Sequence, residues 1–163
     1  MNTTVYFAKT KPNAIIPSKR TEDAGFDIYA CFDEAYMHIE PHSTVLIPTG
    51  LAAACSPRYC LILKERGSTG TKGMAQRCGV IDSGYRNEIF VPITNTTDHH
   101  IWIVKDEAKA PIISTDIVYP YTKAIAQILV LPVPSVTAME IDYDALNSMQ
   151  SERGTGCLGS SGK

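Results

Sequence analysis

The sequence predicts an all-β domain of the sandwich or barrel-like kind. Short apolar or alternating runs rich in Val, Ile, Tyr and Phe recur along the chain. Pro, Gly or Asn punctuates them, as between strands. Their period is that of strands, not the 3.6 residues of an amphipathic helix.

In chain order, the predicted strand runs begin with "TVYFA" (4–8) and "FDIYACF" (26–32). "STVLIPTGLAAAC" (43–55) follows, interrupted at Pro48 and Gly50, and then "YCLILKE" (59–65). "EIFVPITN" (88–95), "HIWIVK" (100–105) and "AIAQILVLPV" (124–133) complete the set. One turn of helix is expected after Gly67, and a short helix over "DYDALNSMQ", Asp142 to Gln150. No repeat or linker divides residues 1–150, which read as one β domain. Residues 151–163, "SERGTGCLGSSGK", form a Gly- and Ser-rich tail.

A chain of 163 residues favours one domain with a sizeable core. Its hydrophobic fraction of 44% and formal net charge of -2 are ordinary for a soluble protein. Near-neutral charge gives no general pull towards nucleic acid or membrane, so any anion site must be built locally. No apolar run approaches the roughly 20 residues that span a bilayer. The start, "MNTTVYFAKTK", lacks a signal peptide's apolar core and cleavage site. Five cysteines, an odd count irregularly spaced, argue against a disulfide framework and fit a reducing cytoplasm. With no C-x-x-C pair, and His99 and His100 in a polar turn-like segment, the expectation is buried thiols and exposed histidines rather than a protein-built metal site.

Five stretches carry possible chemistry. "GVIDSGYRNE" (79–88) is a tight hairpin in which Gly84 and Asn87 tolerate positive φ. It is either plain punctuation or a grip. Opened at the turn, its backbone N–H and C=O groups match the edge of uracil. Tyr85 offers a flat ring and Asp82 two acceptor oxygens. In "KERGSTGTKG" (64–73), Arg66 stands beside Gly67, Ser68 and Thr69, a group suited to phosphate. A solvated surface turn explains it equally, and the spacing is not that of a P-loop. Asp27, between Phe26 and Ile28, faces away from them in an alternating strand and needs water or a partner such as Arg66. Gln127 interrupts an apolar strand, so its amide meets either core backbone or a ligand. The tail is either frayed or a phosphate wrapper of glycine N–H groups, hydroxyls and an arginine.

Taken in order, these stretches resemble the five motifs of the trimeric dUTP pyrophosphatases (dUTPases). "AGFDIYA" looks like the first, "RGS" (66–68) the second, "GVIDSGYRNE" the third, "AQI" (126–128) the fourth and "RGTGCLGSSG" (153–162) the fifth. The resemblance implies a distorted jelly-roll (β-clip) subunit and a homotrimer with active sites at subunit interfaces. It implies hydrolysis of dUTP to dUMP and pyrophosphate, assisted by Mg2+ held by the triphosphate and waters rather than by side chains.

By motif position, Asp82 would meet the deoxyribose 3′-hydroxyl and orient the attacking water. The Gly79–Tyr85 backbone, with Ile81, would read uracil, and Tyr85 would exclude a 2′-hydroxyl. Arg66, Gly67 and Ser68 would bind phosphates. Gln127 would serve the α-phosphate, and Asp27 would support Arg66. The tail would close over the nucleotide through Arg153, Leu158, Ser160 and Ser161. The chain departs from the family pattern at Gly67 (usually Ser), Asn87 (usually Gly) and Leu158 (often aromatic). The arginine often found before the fourth motif is also missing; Lys123 and Ala124 stand nearby.

Two rivals remain. dCTP deaminase has a similar hairpin but needs a glutamate on the following strand, where spacing places Pro92. A dUTPase-like trimer serving as a nucleotide-binding regulatory protein is the other.

Overall fold

Strand alternation decides which side chains enter the core. The computed structural model describes residues 3–156. Its strands are β1 (Tyr6–Lys9), β2 (Phe26–Ile28), β3 (Tyr36–Ile39), β4 (Thr44–Pro48), β5 (Leu51–Ala54) and β6 (Tyr59–Lys64). They continue as β7 (Met74–Gln76), β8 (Val80–Ile81), β9 (Phe90–Asn95), β10 (Ile101–Val104), β11 (Ile117–Pro120) and β12 (Ala126–Pro132). The helices are α1 (Gly67–Gly70) and α2 (Tyr143–Ser148), with a 3-10 turn at Glu107–Lys109. The expected all-β class with at most two short helices is therefore what is observed.

The chain forms two compact units, Met1–Val133 and Pro134–Lys163. The first holds every strand among the described residues, in four small sheets: β1-β5, β11-β10-β3, β2-β12-β6-β8 and β4-β9-β7. Its core is aliphatic and β-branched. Ile28, Ile39, Ile47, Leu51, Ile101 and Ile128 are all 0% exposed. Each such side chain contributes about 1.5–3 kcal/mol by leaving water. In the second unit, Asp142 precedes α2, and no α2 residue is buried.

Three strands escape the sequence pattern. β3, β7 and β11 are only three or four residues long and include Met, His, Gln and Pro. They are held by neighbours: β10, buried at all four positions, pairs antiparallel with β3 and parallel with β11. The run at 26–32 is shorter than expected, because beyond Ile28 the backbone changes partner and the Cys31 N–H bonds to the Pro48 carbonyl at 2.7 Å.

The thiol and histidine expectations need correction. Of the four described cysteines only Cys31 is buried, and Cys78 is exposed. His100 is half-buried, its Nδ1 lying 2.7 Å from His38 Nε2. Neither Gly84 nor Asn87 takes positive φ; Cys78 (φ 49) does, immediately before the hairpin.

Candidate active site

Register builds the first half of the site. Across β2, β12 and β6, Asp27 pairs with Gln127 and Gln127 with Lys64. With a side-chain period of two, Ala126 and Ile128 point into the core and Gln127 away from it. Arg66, two residues beyond Lys64, returns to this row. Its Nε lies 2.8 Å from Asp27 Oδ1, and its Nη2 donates to Oδ2 at 3.2 Å. This fork holds both half-buried side chains in one plane. Arg66 Nη1 also donates to Ser68 Oγ (3.3 Å) and to the Ala124 carbonyl (3.4 Å).

The turn that follows fixes the backbone of Arg66. Thr69, fully buried, accepts the Arg66 N–H on Oγ1 at 3.0 Å and donates the same hydroxyl to the Arg66 carbonyl at 3.0 Å. A Cβ at Gly67 would meet nothing within 4 Å, so its backbone is open to the cavity it lines. Gln127 answers the alternative left by the sequence: its Nε2 donates to the Glu65 carbonyl at 2.9 Å, leaving Oε1 for other partners.

Asp27, Arg66, Gly67, Ser68 and Gln127 line one open cavity of about 1000 Å³. Sequence reasoning missed Lys19 and Arg20, which also line it; "SKR" at 18–20 was the available signal for the basic pair. Arg20 Nε and Nη2 grip Asp23 at 2.9 Å each. Hydrogen bonding to Arg20 holds the Asp23 carboxyl below its ordinary range.

Gly25 forms the floor under Gln127. A Cβ there would lie 2.5 Å from Gln127 Oε1 and 3.0 Å from its Cβ. Gly25→Ala is therefore expected to push the amide off the Glu65 carbonyl. Misplacing an active-site group costs roughly 10- to 100-fold in turnover. Steady-state kinetics beside a thermal melt test this; unchanged kcat would show that Gln127 position is immaterial.

The second half of the site is the hairpin. Leu63, Cys78, Ile81, Asp82, Tyr85 and Pro92 are among the residues around a smaller cavity of about 220 Å³. The Tyr85 N–H closes the turn on the Asp82 carbonyl at 3.0 Å, and its hydroxyl donates to the Glu88 carbonyl at 2.9 Å. Glu88 Oε1 accepts the Gly50 N–H at 2.8 Å, tying the hairpin to the β4–β5 turn. Asp82 is exposed and Ile81 buried. Gly79 sits behind this lining. Its carbonyl accepts the Leu63 N–H at 2.7 Å, and a Cβ on it would lie 2.7 Å from the Leu63 carbonyl oxygen.

The two halves share no lining residue. β8 and β12 flank β6 on opposite sides, with Ile81 opposite Leu61 and Gln127 opposite Lys64. Asp82 lies one residue beyond Ile81. Strand geometry then puts Asp82 and Gln127 about 13 Å apart along β6 and about 10 Å across it. Arg153 is described; Leu158, Ser160 and Ser161 lie outside the described residues. Among the described residues, no group of three or more His, Cys, Asp or Glu side chains is placed to hold a metal.

Comparison with solved structures defines the class first. The fold is that of the dUTPase-like jelly rolls. The Staphylococcus bacteriophage 80alpha dUTPase (G164S mutant, with dUpNHpp) superposes with a TM-score of 0.74 at 21% identity, covering 97% of this chain and 98% of that one. The D95N dUTPase of S. aureus phage phi11, described with a structural Mg(II) ion, gives 0.68 at 18% identity, covering 86% and 99%. Sequence then fixes the family. The dUTPase family model matches residues 11–128. The deoxyuridine 5′-triphosphate nucleotidohydrolase of Bordetella pertussis (strain Tohama I) is 33% identical over 149 residues, covering 86% of this chain and 83% of the relative. The chain belongs to the dUTPase family.

Proposed function

We propose that this chain hydrolyses dUTP to dUMP and pyrophosphate by attack of water on the α-phosphorus. The carrying observation is the Asp82–Tyr85 hairpin cavity in a chain of this family. Hairpin backbone groups between Gly79 and Tyr85, with Ile81, bind uracil. Asp82 takes the 3′-hydroxyl and orients the water, accepting its proton as the P–O bond forms. Gln127 holds the α-phosphate region. Arg66, Ser68 and the Gly67 backbone stabilise charge developing on the phosphoryl oxygens, and Asp27 aims Arg66. The tail, 151–163, closes over the nucleotide with Arg153, Leu158, Ser160 and Ser161, excluding water.

The distance between the two halves supports a homotrimeric assembly. Backbones offset by about 13 Å along β6 and about 10 Å across it favour Asp82 and Gln127 meeting one phosphorus from different copies. The hairpin of one copy therefore works with the Asp27–Arg66–Gln127 cavity of another. At about 220 Å³ the hairpin cavity is also smaller than most ligand sites, as expected if another copy supplies a wall.

The residues fit a substrate-borne Mg2+. Arg66 and Arg20 already engage Asp27 and Asp23, so neither carboxylate is spare for a metal. Mg2+ characteristically retains waters and binds through substrate phosphates. When bound it would neutralise phosphate charge. A cytoplasmic site of action, with neither membrane nor nucleic acid as partner, completes the reading.

Pro92 lines the hairpin cavity where deamination of dCTP would need a carboxylate, which opposes that chemistry. Pyrophosphate release from dUTP, with dCTP, dTTP and UTP as controls, tests the proposal; absence of release from dUTP rejects it. Tyr85→Ala is expected to raise relative turnover of UTP about tenfold by removing the 2′-hydroxyl clash. An unchanged dUTP/UTP ratio would assign discrimination elsewhere.

A further inference from the structure

The large cavity is lined by four cationic and two anionic side chains: Lys19, Arg20, Arg66 and Lys123 against Asp23 and Asp27. Both anions are occupied, Asp23 by Arg20 and Asp27 by Arg66. The Arg66 fork also spends donors on Ser68 and Ala124, so much of its capacity is used within the protein. Lys19 Nζ donates to the carbonyls of Asp23 (2.7 Å) and Arg20 (3.4 Å) and lies 5.6 Å from the Phe26 ring centroid. Lys123 differs. It is exposed, and among the described residues no ion pair or side-chain hydrogen bond engages its ammonium.

The backbone beneath Lys123 is rigidly placed. Its own N–H bonds to the Pro120 carbonyl at 3.0 Å, closing the turn between β11 and β12. The next carbonyl, of Ala124, receives the Tyr119 hydroxyl at 2.7 Å as well as Arg66 Nη1 at 3.4 Å. The Ile125 N–H bonds to the Ile28 carbonyl at 2.9 Å. Ala124 lines the cavity beside it but is 3% exposed and carries no charge, so position 123 supplies the cation at this part of the wall. A flexible ammonium with three donors, on a fixed stem beside a committed guanidinium, suits a polyanion whose phosphates vary in position.

We infer that Lys123 is a substrate-binding residue that takes up charge on the β- and γ-phosphates, making the cavity selective for a triphosphate over a monophosphate. This rests on the dUTP-hydrolase reading above for the identity of the nucleotide. The recognised chemistry is a polyphosphate chain.

The test uses the full chain with Lys123→Met and Lys123→Arg. Lys123→Met is expected to raise KM for dUTP about 10-fold, the loss of one charge-assisted hydrogen bond, with kcat within about twofold of wild type. Lys123→Arg restores KM. Affinity for dUMP, which lacks the β- and γ-phosphates, changes least. Calorimetric titration with inorganic tripolyphosphate is expected to show the same loss in Lys123→Met. Unchanged KM and unchanged tripolyphosphate affinity overturn the inference while leaving dUTP hydrolysis standing. A fall in kcat alone, or an equal loss for dUMP, also overturns it. If the wild type does not hydrolyse dUTP, the parent reading fails and the tripolyphosphate titration decides: binding that is absent, or equal in both proteins, rejects Lys123.

Discussion

Asp82→Asn lowers pyrophosphate release from dUTP by a factor of about 10²–10⁴, the usual worth of a positioned proton acceptor. Binding of the non-hydrolysable analogue dUpNHpp is expected to survive. The substitution preserves shape, exchanging one acceptor oxygen for a donor amide. It leaves the hairpin intact, because the turn is closed by the Asp82 backbone carbonyl and the Tyr85 N–H rather than by the carboxylate. Asp82 is exposed, so no core contact is lost. Single-turnover hydrolysis and analogue titration, run on the same preparation, separate chemistry from binding. Hydrolysis within a few-fold of wild type would remove Asp82 from the reaction. Loss of analogue affinity matching the loss of rate would make it a binding group only.

What the sequence disclosed, and what it withheld, follows from the range of each interaction. Strand periodicity is local, so the runs that became β6, β9, β10 and β12 were legible, as were the turn after Gly67 and the helix near Asp142. β3, β7 and β11 owe their conformation to partners far along the chain, and their own residues carry too little alternation to announce it. The facing of Asp27 away from Ile28 was readable from a period of two, and its need for a cation followed from charge alone. That Arg66 supplies the cation, with Thr69 bonded to both ends of the Arg66 backbone unit, depends on tertiary placement. The hairpin was legible as a turn, but its conformation was not. Intrinsic tolerance pointed to Gly84 and Asn87 for positive φ. The close approach of Gly79 to Leu63 accompanies that strained conformation at Cys78 instead. Lys123 was visible only as a neighbour of a missing arginine, since its value depends on which other charges are already paired.

Two inactive variants are expected to rescue each other. Arg66→Ala removes the guanidinium from the large cavity and should cost roughly 10²–10³ in turnover, as for other transition-state donors. Asp82→Asn disables the hairpin. Along β6 the two positions are far apart in one chain: Ile81 faces Leu61, five residues before Arg66, or about 17 Å of strand. If one copy's hairpin works against another copy's cavity, chains carrying different lesions can combine an intact hairpin with an intact cavity. In trimers assembled at random from equal amounts, each site draws an undamaged Asp82 and an undamaged Arg66 with even odds, so about a quarter of all sites, and about a third of those in mixed trimers, are intact. Co-expression with two affinity tags, followed by purification on both, isolates the mixed trimers for assay. Activity far above the sum of the two variants is the expected result. Activity no greater than that sum, in particles shown to contain both chains, would place the whole site within one subunit. The separation that strand register implies would then have to be closed by movement of the hairpin itself. Because the prediction turns on which chain supplies which group, loss of stability in either variant lowers recovery but cannot generate the gain.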